Sequence, residues 1–505
     1  DLVRSRGLGD VYKRQDYLTC DENGFAQTKD LPYGIYTVHQ VKGWDGRELL
    51  PDFDVYIAKN GQTYRYLANN ANFESYIKIV KVDAETGKVI PYAGAGFQLY
   101  RPDGSLITQT FTYPEVTTID TFYTNDEGTL ITPEKLEYGS GYSLVEVFAP
   151  YGYTLNSEPV YFDVTQDAST DEDGVTVIEV IKPNMAQKGV IKISKSGEVF
   201  SSVTEADGLY QPVFSVQGLP GAVYEITAAE DIITPDGTTR YSKGEIVDTV
   251  TTDETGLAES KPLYLGKYEI REIKAPYGMV LNTEIRTAEL VYAGQEIEIT
   301  ETSASFYNER QKAAVSLEKV LEQNKTFGIG MNGEISAVTF GLFAAEDLTA
   351  ADGSVIPADG LLEILSVDEN GHAVCKTDLP FGGFYLKELS TDEHYILSNE
   401  KHPIVFEYAG QDAALVEIKA NDGKPIDNDL IYGEIHGLKK DEDGNALGGA
   451  VIGLFKADCT EFTRENAILT ATSAEDGGFS FADVPYGNWI VREIEAPTGF
   501  VLSDE

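Results

Sequence analysis

Apolar and polar residues alternate with a period of two along most of this chain, and one alternating run recurs. Residues 142–155 read YSLVEVFAPYGYTL, 268–281 YEIREIKAPYGMVL, 384–397 FYLKELSTDEHYIL and 489–502 WIVREIEAPTGFVL, with a degenerate copy, YTVHQVKGWDGREL, at 36–49. Each begins with an aromatic residue, places an aliphatic residue two positions on and Glu two further, except that the last copy has Gln40. The intervening positions, such as Glu269 and Arg271 or Tyr385 and Lys387, are mostly polar. Successive side chains of a strand point to opposite faces, so the pattern predicts strands whose inward face carries Glu146, Glu272, Glu388 and Glu493.

The flanking segments repeat as well. An acidic–Gly turn and a Gly-marked lead-in precede each Glu strand, as in TNDEGTL then LEYGSGY, TDETGL then LYLGKY, VDENGH then LPFGGFY, and AEDGGF then VPYGNW. Such clusters between alternating apolar runs are hairpin chemistry, and each unit reads as a meander of short strands. DEDG at 441–444 is also read as a turn, because the ligand spacing and terminal Glu of an EF-hand are missing. Each unit opens alike, with YIKIVKVDAETGK from Tyr76, VIKISKSGE from Val190, AVSLEKVLE from Ala314 and EIHGLKKDEDG from Glu434. Lys81, Lys195, Lys319 and Lys439 align there, on the face shared with Ile77 and Ile79, Ile191 and Ile193, Val315 and Leu317, and Ile435.

A third polar residue keeps register. Asn70, Asn184, Asn308 and Asn428 each precede one of these lysines by 11 residues, so an Asn ending one unit's last strand abuts the Lys strand of the next. Its facing is less regular, with Phe306 and Ile426 two residues earlier in two cases and Lys182 in another. Within a unit the trios are Lys81, Glu146 and Asn184, then Lys195, Glu272 and Asn308, then Lys319, Glu388 and Asn428. The last unit has Lys439 and Glu493, and its Asn would lie past Glu505.

The spacing divides the chain into 16–74, the C-terminal part of a first repeat, then 75–187, 188–311, 312–431 and a truncated 432–505, numbered repeats 1 to 5 below. Residues 1–15 carry Arg4, Arg6, Lys13 and Arg14 against Asp1 and Asp10, and DVYKRQ resembles the translated end of a transposon adaptor used in DNA library preparation. They are read as non-native and set aside from fold reasoning. With no initiator Met, leader or anchor signal, the chain reads as a fragment.

Composition narrows the function. A length of 505 residues suits several β-units, and 42% hydrophobic with 11% aromatic residues describes folded modules despite a net charge of -44. That charge disfavours nucleic acid and anionic membranes, and no apolar run is long enough to span a bilayer. Cys20, Cys375 and Cys459 fall in different repeats and form no disulfide or metal framework. No metal or other cofactor is expected.

A lone inward Glu reads as an edge-strand residue reaching solvent. Four units with inward Lys and Glu, three completed by Asn, point instead to a shared buried site, because such charges are rarely buried unpaired. The site is either a noncovalent ion pair capped by an amide or a place of chemistry. Desolvation favours a neutral amine beside a neutral acid. The amine can then attack the Asn side-chain carbonyl while Glu moves protons, giving a Lys–Asn isopeptide bond and ammonia. Proximity supplies most of the acceleration, and the event happens once per domain, without turnover. A glycosidase is disfavoured, since no second carboxylate tracks the inward Glu and the five histidines form no Ser/His or metal constellation.

The repeats resemble the collagen-adhesin B-type, or prealbumin-like, domains of Gram-positive surface adhesins and sortase-assembled pilins. The resemblance rests on I-x-I-x-K-x-D (Ile77, Ile79, Lys81, Asp83), on AGA-x-F (Ala93 to Phe97), on the YG-x-Y lead-in and on E-x-x-AP-x-G-Y/F (Glu146, Ala149, Pro150, Gly152, Tyr153), and it covers residues 16–505. It implies an all-β fold of tandem immunoglobulin-like sandwiches, beads on a string. It further implies spontaneous Lys–Asn bonds with Glu as catalyst, and a stalk role in an extracellular, cell-wall-anchored protein, attached by sortase through a missing C-terminus. Some members place the reactive lysine elsewhere on the first strand, which keeps Lys78 and Lys192 as alternatives. Gln40 and the absent Lys strand imply no bond in repeat 1, while STDEHY and the NDGKPID segment set repeat 4 apart. LPYGI and LPFGG share only first letters with a sorting motif, and no pilin-type polymerisation motif is found. A competing reading has the modules bind a host or microbial ligand themselves, through insertions such as FTYPEVTTIDTF at 111–122.

Overall fold

A computed structural model describes residues 2–5, 15–170 and 175–502. The architecture is all β, and the only helices among the described residues are two 3-10 turns at Glu334–Ala337 and Ala420–Gly423. No helix among them is long and apolar enough to cross a membrane. Of the segment set aside at the N-terminus, residues 1 and 6–14 lie outside the described residues, while Leu2–Ser5 pairs with Gly34–His39.

Repeat 2 illustrates the plan. Its first sheet places Glu74–Asp83 between Thr129–Ile131 and Thr176–Asn184, and its second sheet runs Val160–Val164, Gly139–Phe148, Gly96–Tyr100, Phe122–Tyr123. Alternation turns one face of each sheet inward, where Ile77, Ile79, Phe97, Leu99 and Leu144 form a closed core. Repeats 3 and 4 repeat the arrangement around Ile191, Ile193, Tyr224 and Ile270, and around Val315, Leu317, Phe340 and Leu386. Lys188–Ala206 and Ile299–Asn308 pair in parallel, as do Lys312–Leu321 and Ile426–Asn428. First and last strands are thus neighbours in each complete repeat, although the residues that meet across them are more than a hundred positions apart in the chain.

Consecutive repeats are not joined by bare linkers. The segment after each Lys strand reaches forward onto the next repeat. In repeat 2, Thr86 donates to Asp236 at 2.8 Å, and Arg240 pairs with Asp83 at 2.7 Å and Glu85 at 3.0 Å. In repeat 3, the strand Lys188–Ala206 runs on into a hairpin with Leu209–Gly218, whose Phe200, Val203 and Tyr210 pack on the core of repeat 4. In repeat 4, Phe327 and Ile329 join the core of repeat 5, with Phe327 edge-on to Trp489 at 4.9 Å. A Tyr-Ala-Gly-Gln loop at 292–295, and again at 408–411, closes the back of two junctions: Ala149 donates to Gln295 at 2.8 Å, and Ala275 to Gln411 at 2.9 Å.

Candidate functional site

The Lys strand is fixed first by the acidic–Gly turn. The backbone N–H groups of Lys81, Lys195, Lys319 and Lys439 donate to the carbonyls of Gly128, Gly256, Gly371 and Gly477, at 3.0, 2.7, 2.6 and 2.7 Å. These glycines have φ between 74° and 86°, and a Cβ on any of them would lie within 2.4 Å of a backbone oxygen, so the turn accepts no other residue without shifting. The Glu strand is fixed by a β-bulge. Glu146 stands opposite Phe97, Glu272 opposite Tyr224, Glu388 opposite Phe340 and Glu493 opposite Ile452, and in each pair of strands the register slips immediately beside that pair. A bulge re-aims the side chain next to it.

Three complete trios converge between the sheets. Lys81 Nζ lies against Asn184 Oδ1, 3.0 Å from Glu146 Oε1, and donates to the carbonyl of Lys182 at 2.9 Å. Asn184 Nδ2 donates to Glu146 Oε2 at 2.7 Å. Lys195 Nζ lies against Asn308 Oδ1 and 3.1 Å from Glu272, to which Asn308 Nδ2 donates at 2.9 Å. Lys319 Nζ donates to Asn428 Oδ1 at 2.6 Å and is 3.5 Å from Glu388, which accepts from Asn428 Nδ2 at 2.9 Å. The Lys and Glu side chains of these trios are at most 1% exposed. In all three the second carboxylate oxygen accepts a backbone N–H from ten residues on, Asn156, Asn282 or Ser398, at 2.8–3.0 Å.

Burial dominates the electrostatics. It pulls the Lys81 amine down to about 8, against the opposing attraction of Glu146. Lys195 and Lys319 are lowered by burial as well, against Glu272 and Glu388. Lys78 and Lys192 stand on the opposite face of their strands, Lys192 half-exposed and paired with Glu301. Repeat 5 brings Lys439 and Glu493 together at 2.9 Å, with the lysine 22% exposed and Glu493 Oε1 without a hydrogen bond. In repeat 1 the buried Gln40 takes the carboxylate's place: its Oε1 accepts from Asn70 Nδ2 at 2.7 Å and from the N–H of Leu50, ten residues on, at 2.8 Å.

Sequence reasoning did not find the bulge, the turn carbonyl, the N–H ten residues on or the Tyr-Ala-Gly-Gln loop. The last two were within reach, because both recur at fixed spacing.

Residues 75–177, 215–304 and 433–505 match the SpaA prealbumin-like fold domain. The trypsin-resistant surface T6 protein of Streptococcus pyogenes serotype M6 is 36% identical over 81 residues, 16% of this chain and 15% of that protein. Among solved structures, the Bacillus anthracis TIE protein aligns at 17% identity and TM-score 0.46, over 86% of this chain and 71% of that one. BcpA, the major pilin subunit of Bacillus cereus, aligns at 15% identity and TM-score 0.26, over 71% of this chain and 100% of that one. With more than half of its residues matched by that domain, in three separate stretches, the chain belongs to the SpaA prealbumin-like fold family.

Proposed function

We propose that this chain is a stalk segment of an adhesin or pilus-type protein on the Gram-positive cell surface, and that repeats 2, 3 and 4 each lock themselves with a Lys–Asn isopeptide bond. The domain limits are 75–187, 188–311 and 312–431, followed by 432 onward. The observation that carries the reading is the threefold burial of amine, carboxylate and amide in mutual contact. A noncovalent ion pair does not need an amide aimed at its lysine, and it places two charges in an apolar core for little net stability.

The chemistry follows from the contacts. Nζ attacks Cγ of Asn as a neutral amine, while the carboxyl group hydrogen-bonded to Nδ2 holds the amide in line. Glu accepts the amine proton and hands a proton to Nδ2, the Cγ–Nδ2 bond breaks, and ammonia leaves. Glu146, Glu272 and Glu388 are the proton shuttles, and they are regenerated. Repeat 1, where Gln40 takes the carboxylate's place, forms no bond, and repeat 5 holds Lys439 and Glu493 as an ion pair. Sortase and the cell wall are the partners this reading implies.

The intact mass tests this. The full chain should be lighter than its sequence by three ammonia molecules, and Glu146→Ala, Glu272→Ala and Glu388→Ala should each restore one. Masses matching the sequence throughout would leave only a noncovalent cluster. A second reading, adhesion by repeat 2 itself, is favoured by its hairpin Gln109–Phe111 with Thr117–Ile119, whose tip exposes Tyr113 at 86% and Val116 at 77%. Replacing both by Ser should then abolish adhesion by the chain without changing its mass deficit.

A further inference from the structure

Repeat 2 differs from its neighbours at one buried position. In the parallel pairing of first and last strands, Lys195 stands opposite Phe306 and Lys319 opposite Ile426, whereas Lys81 stands opposite a second lysine, Lys182. Lys182 is 1% exposed, and its Nζ donates to the backbone carbonyl of Glu158. Its own backbone carbonyl accepts from Lys81 Nζ. Two buried amines therefore stand near one buried carboxylate, Glu146, which ion-pairs with Lys81 and acts on Lys182 through its field, and the three cannot all be charged in balance.

The groups facing Lys182 are Lys81 on the first strand, Glu146 on the Glu strand and Glu158 on the loop that follows it. Both carboxylates favour a charged Lys182, while Lys81 has Glu146 alone. The proton is better kept on Lys182. We infer that Lys182 is a positioning residue for the proposed bond of repeat 2, its ammonium claiming the site's negative charge and holding Lys81 as the uncharged nucleophile. Burial lowers both amines, and the charge of Lys182 adds to the lowering of Lys81. The lysine that breaks the apolar pattern is thus a tuning element, which lets repeat 2 close at lower pH than it would with Phe or Ile.

This inference rests on the isopeptide reading, and one experiment separates the two. The full chain is made by cell-free synthesis at a series of pH values from about 6 to about 9, quenched at intervals and digested, and the Lys81–Asn184 and Lys195–Asn308 cross-linked peptides are quantified. In Lys182→Met the profile of repeat 2 should move to higher pH, with its rate at pH 7 falling about three- to tenfold, since each unit of movement is a factor of ten in neutral amine. Repeat 3 of the same molecules should keep its rate. Lys182→Arg, which retains the charge, should keep the wild-type profile, and Lys182→Phe, copying repeat 3, should behave as Met does. A Met profile superimposed on wild type, or an Arg profile displaced as far as Met, overturns the tuning role and leaves the bond intact. No cross-linked peptide in wild type overturns both.

Discussion

Lys195→Met combined with Glu272→Gln converts repeat 3 into the arrangement that repeat 1 already displays. There Gln40 accepts from Asn70 and from the N–H of Leu50 with no lysine amine bonded to it among the described residues, so the variant keeps the equivalent bonds from Asn308 and Asn282. Met replaces the lysine stem and removes the buried charge together with its partner. What remains lost is the proposed cross-link between positions 113 residues apart. On the loop-entropy relation, a closure of that length is worth about 4.8 kcal/mol. Replacing a noncovalent buried ion pair by uncharged groups of similar size is often neutral or stabilising. Hydrogen exchange in the full chain discriminates, read at Ile191 and Ile193 in denaturant strong enough for whole-repeat opening to govern exchange. The expected result is protection lower by about 3,000-fold in the variant, from 1.36 kcal/mol per factor of ten. A fall of less than about tenfold would refute the reasoning, because the repeat would then owe its stability to packing alone.

Further outcomes concern the other sites. After full unfolding, an amine-acylating reagent should modify Lys439 but spare Lys81, Lys195 and Lys319, whose nitrogens are amides in the bonded chain; peptide mapping reads this directly, and complete modification of all four would exclude the bonds. Phe200→Ser strips a half-buried ring from the contact with repeat 4 and should cost about 1–3 kcal/mol, read as faster exchange in Leu361–Ser366 with no change in Val160–Val164. At the junction of repeats 2 and 3, burial pushes the Asp236 carboxyl up, but hydrogen bonds from Thr234, Thr238 and Thr86 outweigh it and bring it down to about 2. Its contribution is therefore complete above the unfolded value of about 3.9 and lost as pH falls through about 2. Protection factors across Thr239–Tyr241, corrected for the intrinsic pH dependence of amide exchange, should stay constant from neutral pH to about 4 and fall only below it.

The sandwich was legible because a period of two survives wherever one face is buried, and Tyr142, Leu144 and Glu146 obey it as one set. The trios were legible for a related reason: a charged residue that keeps the inward phase in four repeats has no solvent-side explanation. The bulge beside each Glu was not legible, since its extra residue, Val147, Ile273 or Leu389, follows the Glu on the same strand and leaves the alternation up to the Glu intact. Nor were the forward contacts. Phe200, Val203 and Tyr210 read as part of an ordinary hairpin, and only the three-dimensional continuation of Lys188–Ala206 beyond its own sandwich brings them to another core. Lys182 marked itself as an exception to the apolar pattern, but its meaning depended on the register that sets it opposite Lys81.

The parallel neighbourhood of first and last strands has a mechanical consequence. Once the bonds are in place, tension passes from Lys195 straight to Asn308, and residues 196–307 become slack that cannot be drawn out. The loaded backbone between one bond and the next is the 11-residue interval from Asn308 to Lys319, at most about 36–40 Å when fully extended. Without the bond, the 113-residue separation could release about 370–400 Å. The bonded stalk is therefore a tether of nearly fixed contour length, and the hairpin that grips repeat 4 hangs outside the line of pull, so it can stay docked while the chain is taut.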